Sequence, residues 1–375
     1  MASTNQDHTY LQPPPAPGAR RGGSRWRRAR LPLGVLAGLV VILVGIYALA
    51  NHSGTAAPGP GTSPAPGAQA GALFPSSAAA SSPSASATPS AKPSAKPSTS
   101  SATPHRATGG VPSAGNTGVP RGTALSTYHG SCTISSAGTV IDAKTVNCDL
   151  DIRAANVTIR RSKINGSVLL DTDVAGSNRW SYTLEDSEVD AGVREHPAVS
   201  YGNMTVLRSN IYGGITSVQC GEHAISCTIE DSWLHGQRIP ADANWHLGGF
   251  LSNGGHNIRI RNNTIVCDAP ANPLGEGCTG DLNLLGDFAA ISDVVVDHNV
   301  LGANTGSSFC LYGGDAASKP YPHANNVVIT NNVFARGTNG KCAAYGAVSS
   351  FNVDGPGNVW RSNKWSNGGS VAPEM

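Results

Sequence analysis

The sequence predicts an all-β domain, a right-handed parallel β-helix solenoid of about 7–8 coils, behind one transmembrane helix and a disordered Pro/Ala/Ser-rich spacer. Three observations predict it. A nine-residue phrase recurs along the C-terminal part. A twenty-residue run without charge follows a cluster of arginines. A Pro/Ala/Ser-rich stretch separates the two.

Residues 1–30 read as a basic cytoplasmic tail, with Arg20, Arg21, Arg25, Arg27, Arg28 and Arg30 next to the apolar run. Residues 31–50, LPLGVLAGLVVILVGIYALA, reach about 30 Å as a helix, the thickness of a bilayer core. The arginines hold that end inside, which leaves everything after it outside the cell membrane in a single-pass arrangement. The rival is a signal peptide cleaved near Ala50, since Ala48-Leu49-Ala50 has the small-x-small form and the chain would then be secreted. The apolar run exceeds the roughly 7–15 residues of a signal peptide, which favours an anchor.

Residues 51–122 carry 12 of the 25 prolines, one aromatic (Phe74) and no Asp or Glu. Such a stretch cannot bury enough apolar surface to fold. Proline extends it, to a reach on the order of 200 Å, which suits a tether.

Residues 123–375 are the expected β-helix domain. From Gly122 onward 16 Lys and Arg face 23 Asp and Glu, a net of −7. A folded part without a basic footprint excludes nucleic acid as a partner.

The phrase reads polar, apolar, x, apolar, x, x, Ser/Asn, x, apolar. It occurs as NVTIRRSKI, SYTLEDSEV, NMTVLRSNI, SCTIEDSWL, NIRIRNNTI, DVVVDHNVL and NVVITNNVF, from Asn156, Ser181, Asn203, Ser226, Asn257, Asp293 and Asn326; a worn eighth copy covers residues 357–365. Positions two and four alternate as a strand with one face inward. Position seven (Ser162, Ser187, Ser209, Ser232, Asn263, Asn299, Asn332) is a small polar residue at a fixed turn, able to stack on its equivalents and bond buried backbone. Further apolar runs, such as Val168-Leu169-Leu170 and Phe250-Leu251, make about three strands per coil. Leucine-rich repeats need another Leu three residues before position two. Here that place holds Ala154, Arg179, Tyr201, Ala224, Gly255, Ile291 and Ala324.

Eight cysteines follow the apolar segment, an even number that implies disulfides in an exported domain. Eight cysteines allow 105 pairings, and the repeat narrows the choice. Cys220 and Cys227 flank a short turn, Cys267 and Cys278 close one loop, and Cys310 and Cys342 lie about one coil apart. Cys132 and Cys148 then close the N-terminal end. No C-x-x-C pair suggests zinc.

With these features the chain resembles the pectate-lyase-like β-helix superfamily, and more narrowly actinobacterial secreted right-handed β-helix repeat proteins, over about residues 130–365. The resemblance implies carbohydrate binding along one strand face, beneath the loops that precede those strands. The inserted loops 237–245 and 268–279 stand there. Around them Arg238, Asp242, His246 and Asp281 are candidate catalytic groups, and Trp245, Arg238, Asp242 and Asn283 candidate binding groups. Paired carboxylates serve glycoside hydrolysis; a base with a cation on a uronate serves β-elimination. Related proteins often carry His-x-Asp-Gly-(Ile/Phe)-Gln. Here His246, Gly249 and Phe250 match, but Gly248 replaces the acid and Leu251 the amide. No Asp-Pro-His-Asp/Glu run of the C5-epimerase relatives occurs.

The reading is therefore a membrane-tethered β-helix that binds polysaccharide or cell-wall glycan with a degenerate catalytic motif. The alternatives are an active polysaccharide lyase or glycoside hydrolase using Asp242, Asp281 and Arg238, and a structural spacer or adhesin. No cofactor is expected; Ca2+ stays open for the elimination chemistry, and no metal site is assigned.

Overall fold

The computed structural model describes residues 110–373. The basic tail, the apolar segment 31–50 and most of the expected spacer lie outside the described residues. Among the described residues no helix is long and apolar enough to cross a membrane. The only helical piece among the described residues is a single 3-10 turn, Ser177–Arg179.

Three sheets of parallel strands run along the domain. Sheet 1 has nine strands, from Val140–Asp142 to Val359–Arg361. Sheet 2 has ten, from Ser126–Thr127 to Lys364–Trp365. Sheet 3 has nine, from Thr133–Ile134 to Gly346–Ser349. Each coil visits the sheets in that order, as in Val157–Arg160, Lys163–Asn165 and Val168–Leu169. Each strand then pairs with its equivalent one coil later. The architecture is that of a parallel β-helix solenoid.

The recurring phrase forms the sheet 1 strand, a turn and the sheet 2 strand. Its fourth positions stack in register, Ile159 on Leu184, Val206, Ile229, Ile260, Val296 and Ile329. All seven are fully buried. Burying each such side chain stabilises by about 1.5–3 kcal/mol. Position seven forms a ladder of bonds between coils. The backbone N–H of Ser162 donates to Ser187 Oγ, that of Ser209 to Ser232 Oγ, and that of Ser232 to Asn263 Oδ1. The N–H groups of Asn263, Asn299 and Asn332 donate to the Oδ1 of Asn299, Asn332 and Asn363 at 2.8–3.0 Å. Each asparagine Nδ2 donates in turn to a sheet 1 carbonyl, such as Ile260 O for Asn299.

The described coils outnumber the 7–8 expected, because sheet 1 begins one strand before the first copy of the phrase, at Val140–Asp142. There Ile141 and Val146 fill the inward places, but Lys144 stands where Ser or Asn would, which hides the copy. Its N–H still donates to Ser162 Oγ at 3.0 Å, so the ladder starts here.

Position six of each phrase is left-handed. Ala143, Arg161, Asp186, Arg208, Asp231, Asn262, His298, Asn331 and Ser362 have φ between 46° and 58°. This conformation costs a non-glycine residue about 1–2 kcal/mol. It makes the bend between sheets 1 and 2, and the backbone bonds of the coils hold it, as when Arg161 N–H donates to Glu185 O. All four expected disulfides are present: Cys132–Cys148, Cys220–Cys227, Cys267–Cys278 and Cys310–Cys342. The last described part of the spacer packs on the solenoid. Pro112 and Gly118 are buried, and Gly118 N–H donates to Arg208 O at 2.9 Å.

Candidate functional site

Loops 237–245 and 268–279 precede two adjacent sheet 3 strands, Leu247–Ser252 and Cys278–Leu284. Asn272 Nδ2 ties them together by donating to the carbonyls of Pro240 and Ala243, at 3.0 and 2.6 Å. Between them lies an open cleft of about 340 Å3, lined by Gln237, Arg238, Ile239, Ala269, Pro270 and Asn272 among others. A small second core of Leu247, Cys267 and Ala269 supports the loops, with Ile239, Trp245 and Cys278 packed against it. Trp245 is thus half-buried as the cap of that core.

The four candidate catalytic residues have separate partners and surroundings. Arg238 lies 3.1 Å from Asp190 and extends over the Tyr212 ring, both on sheet 2. Asp242 and His246 are exposed on their loop. Asp281 is fully buried, in the corner of the coil. Its Oδ1 accepts from the Cys267 N–H at 2.8 Å, and its Oδ2 has no partner. Burial holds this carboxyl well above the usual range, against the Cys267 bond and with help from the charge of Asp268. Among the described residues no hydrogen bond or ion pair joins any two of the four.

Asn283, two residues on, is the group that meets the outer side of the strands. It aligns with Leu251 and Tyr312 in the neighbouring coils. Its Nδ2 donates to Phe250 O and Gly280 O at 3.3 and 3.2 Å. The amide lies flat over two glycines. A β-carbon at Gly248 would stand 2.5 Å from Nδ2, and one at Gly280 would stand 2.6 Å from Oδ1. The amide of Asn283 thus fills the room that a side chain at 248 would take.

No family model, no curated protein and no solved structure matches this chain. Its function must be read from these residues.

Two further clusters were not singled out in the sequence. On the outer face of sheet 2, Glu188 accepts from Lys163 at 2.9 Å and from the Tyr212 hydroxyl. His235 stacks on Trp233, with ring centres 3.4 Å apart, and its Nε2 meets Asn210 Oδ1 at 2.8 Å. Burial opposes ionisation of Glu188, but the bonds from Tyr212 and Lys163 outweigh it and hold the carboxyl below its usual range. Burial pushes His235 down, against Asp268 and Glu188. Lys163, Glu188, Asn210 and Trp233 fill the eighth place of the phrase, an x position, and Tyr212 and His235 stand just past its end, so only a two-residue alternation continued beyond position nine would have aligned them. On sheet 3, Phe309 lies 5.6 Å from Tyr312, edge to face, and 5.9 Å from Tyr345.

Among the described residues, two groups bring three ligating atoms within 4.8 Å of one another. Asp281 with Cys310 and Cys342 offers no thiolate, because that pair is a disulfide. Asp173, Glu222 and His223 stand on the turns after sheet 3, where His223 Nδ1 is 2.8 Å from Asp173.

Proposed function

We propose that this chain is an extracytoplasmic, membrane-tethered glycan-binding protein, a right-handed β-helix of the pectate-lyase-like kind that holds polysaccharide or cell-wall glycan without rapid turnover. The observation that carries the reading is the exchange at Gly248 and Asn283. The outer side of the central sheet 3 strands presents an amide where the resembled motif has a carboxylate, and Asp281 is withdrawn into the coil. Binding needs hydrogen bonds and ring contacts, which this face and the adjoining cleft offer. Acid–base catalysis needs a positioned proton carrier within reach of the substrate, worth about 10²–10⁴-fold. Arg238 is engaged with Asp190 and Asp281 is fully buried, so the reading as a lyase or hydrolase is left with Asp242 as its one exposed acid. The apolar segment 31–50 and the Pro-rich spacer support a tether that carries the domain away from the membrane.

The experiment is a glycan-array profile of the solubilised full-length chain. Retention of a defined set of polysaccharides is the expected result. A blank array would favour the spacer or adhesin reading.

A further inference from the structure

We infer that Phe309, Tyr312 and Tyr345, with the amide of Asn283 beside them, form a binding site for an uncharged pyranose ring of a glycan. This rests on the glycan-binding reading and adds the place and the chemical class.

The three aromatic rings belong to neither hydrophobic core. Phe309 is central, with Tyr312 edge-on to it and Tyr345 tilted against it. Tyr345 is 56% exposed, so a large aromatic face is left to solvent at the end of a row that nothing in the core requires. An aromatic face carries partial negative charge, and the C–H-rich face of a pyranose carries the complement.

A second observation points to a ligand independently. Asn283 is 3% exposed and its Oδ1 has no hydrogen-bond partner, although its Nδ2 has two. A buried acceptor left unpaired is costly and rare in a folded protein. The oxygen lies on the Gly280 side of the amide, where the Tyr312 ring edge also approaches. A β-carbon on Gly280 would stand 2.6 Å from it and 3.4 Å from the Tyr312 ring edge. A sugar hydroxyl entering beside Tyr312, with that ring turned aside, would donate to this oxygen.

The class follows from charge. The sheet 3 strands Leu247–Ser252, Cys278–Leu284, Phe309–Gly313 and Gly346–Ser349 contain one charged residue, Asp281, and it is buried. Lys341, at the rim, donates its ammonium to Tyr345 O at 2.9 Å. The surface offers no arginine fork for a uronate carboxylate, whose recognition calls for a paired cation. An uncharged ring loses nothing there.

The test is equilibrium binding of the full-length chain to two probes, a neutral β-1,4-linked hexose or N-acetylhexosamine hexamer and a galacturonate hexamer. The neutral probe is expected to bind more tightly. Tyr345→Ala should weaken it by about tenfold, the usual loss for an anchoring aromatic, whereas Tyr345→Phe should keep it. Tyr345 is exposed, so an unchanged melting curve shows that the Ala variant is folded; Phe309→Leu is the second variant if it is not. Tighter galacturonate binding overturns the class and leaves the glycan reading standing. Neutral binding that survives in both variants overturns the site alone. Binding of neither probe, with a blank array, overturns both.

Discussion

The side-chain amide of Asn283 occupies the space of the side chain that Gly248, one coil earlier, does not have: a β-carbon there would stand 2.5 Å from Nδ2. An acidic side chain at 248 and the Asn283 amide cannot both be present in this geometry.

Gly248→Ala should therefore destabilise by about 1–3 kcal/mol through overpacking. In an Asn283→Ala background the same change should cost at least about 1 kcal/mol less, since contacting residues couple. Denaturant unfolding of the four proteins measures this, and equal costs in both backgrounds would remove the clash as the reason for the glycine.

The asparagine ladder gives a second expectation. Asn332 accepts from the Asn299 N–H and donates to Val296 O and Asn363 Oδ1, all in the interior. Asn332→Leu keeps the volume and leaves these groups unpaired, at about 1–3 kcal/mol each. A melting temperature equal to that of the unaltered chain would contradict an energetic role for the ladder.

Asp281 gives a pH dependence of defined sign. Its carboxyl is raised in the folded state by burial, so over the affected range the folded chain binds more protons than the unfolded one. Its contribution is full below about pH 4, where both states are protonated, and is lost as pH rises toward the folded value. Asp281→Asn keeps an oxygen for the Cys267 N–H and removes the titration. The stability difference, variant minus unaltered chain, should grow from pH 4 upward and then level off; a difference independent of pH would mean that Asp281 ionises as in water.

Topology is tested on cells. Protease added outside should cut the Pro-rich spacer and release the disulfide-bonded domain. Release without protease would indicate cleavage near Ala50, and full protection would contradict export.

Much of the fold was legible because one phrase serves every coil. Inward positions such as Ile159 and Ile329 must be apolar, and position seven must carry a side chain that bonds backbone one coil away. The N-terminal coil was hidden at Lys144, where the backbone takes part in the ladder but the side chain does not. The site was less legible. Asp281 and Asn283 share a strand and a parity, and alternation would point both outward, opposite to Leu282 and Leu284. The pairing of this strand with its neighbour shifts at Leu247 and Gly248, and at this corner Asp281 turns inward to the Cys267 N–H. Arg238 likewise reads as a loop residue of the cleft, yet it reaches Asp190 on sheet 2. Contacts that join separate coils leave no local pattern. The aromatic group of Phe309, Tyr312 and Tyr345 spans two coils for the same reason.

Following one captured glycan in a single sample, for both retention and product, separates a glycan-binding face without rapid turnover from an enzyme. Saturable retention is expected, with new reducing ends and unsaturated ends staying at the level of a protein-free control over many hours. Cleavage at an ordinary enzymatic rate, about 1–10³ s⁻¹, would contradict it.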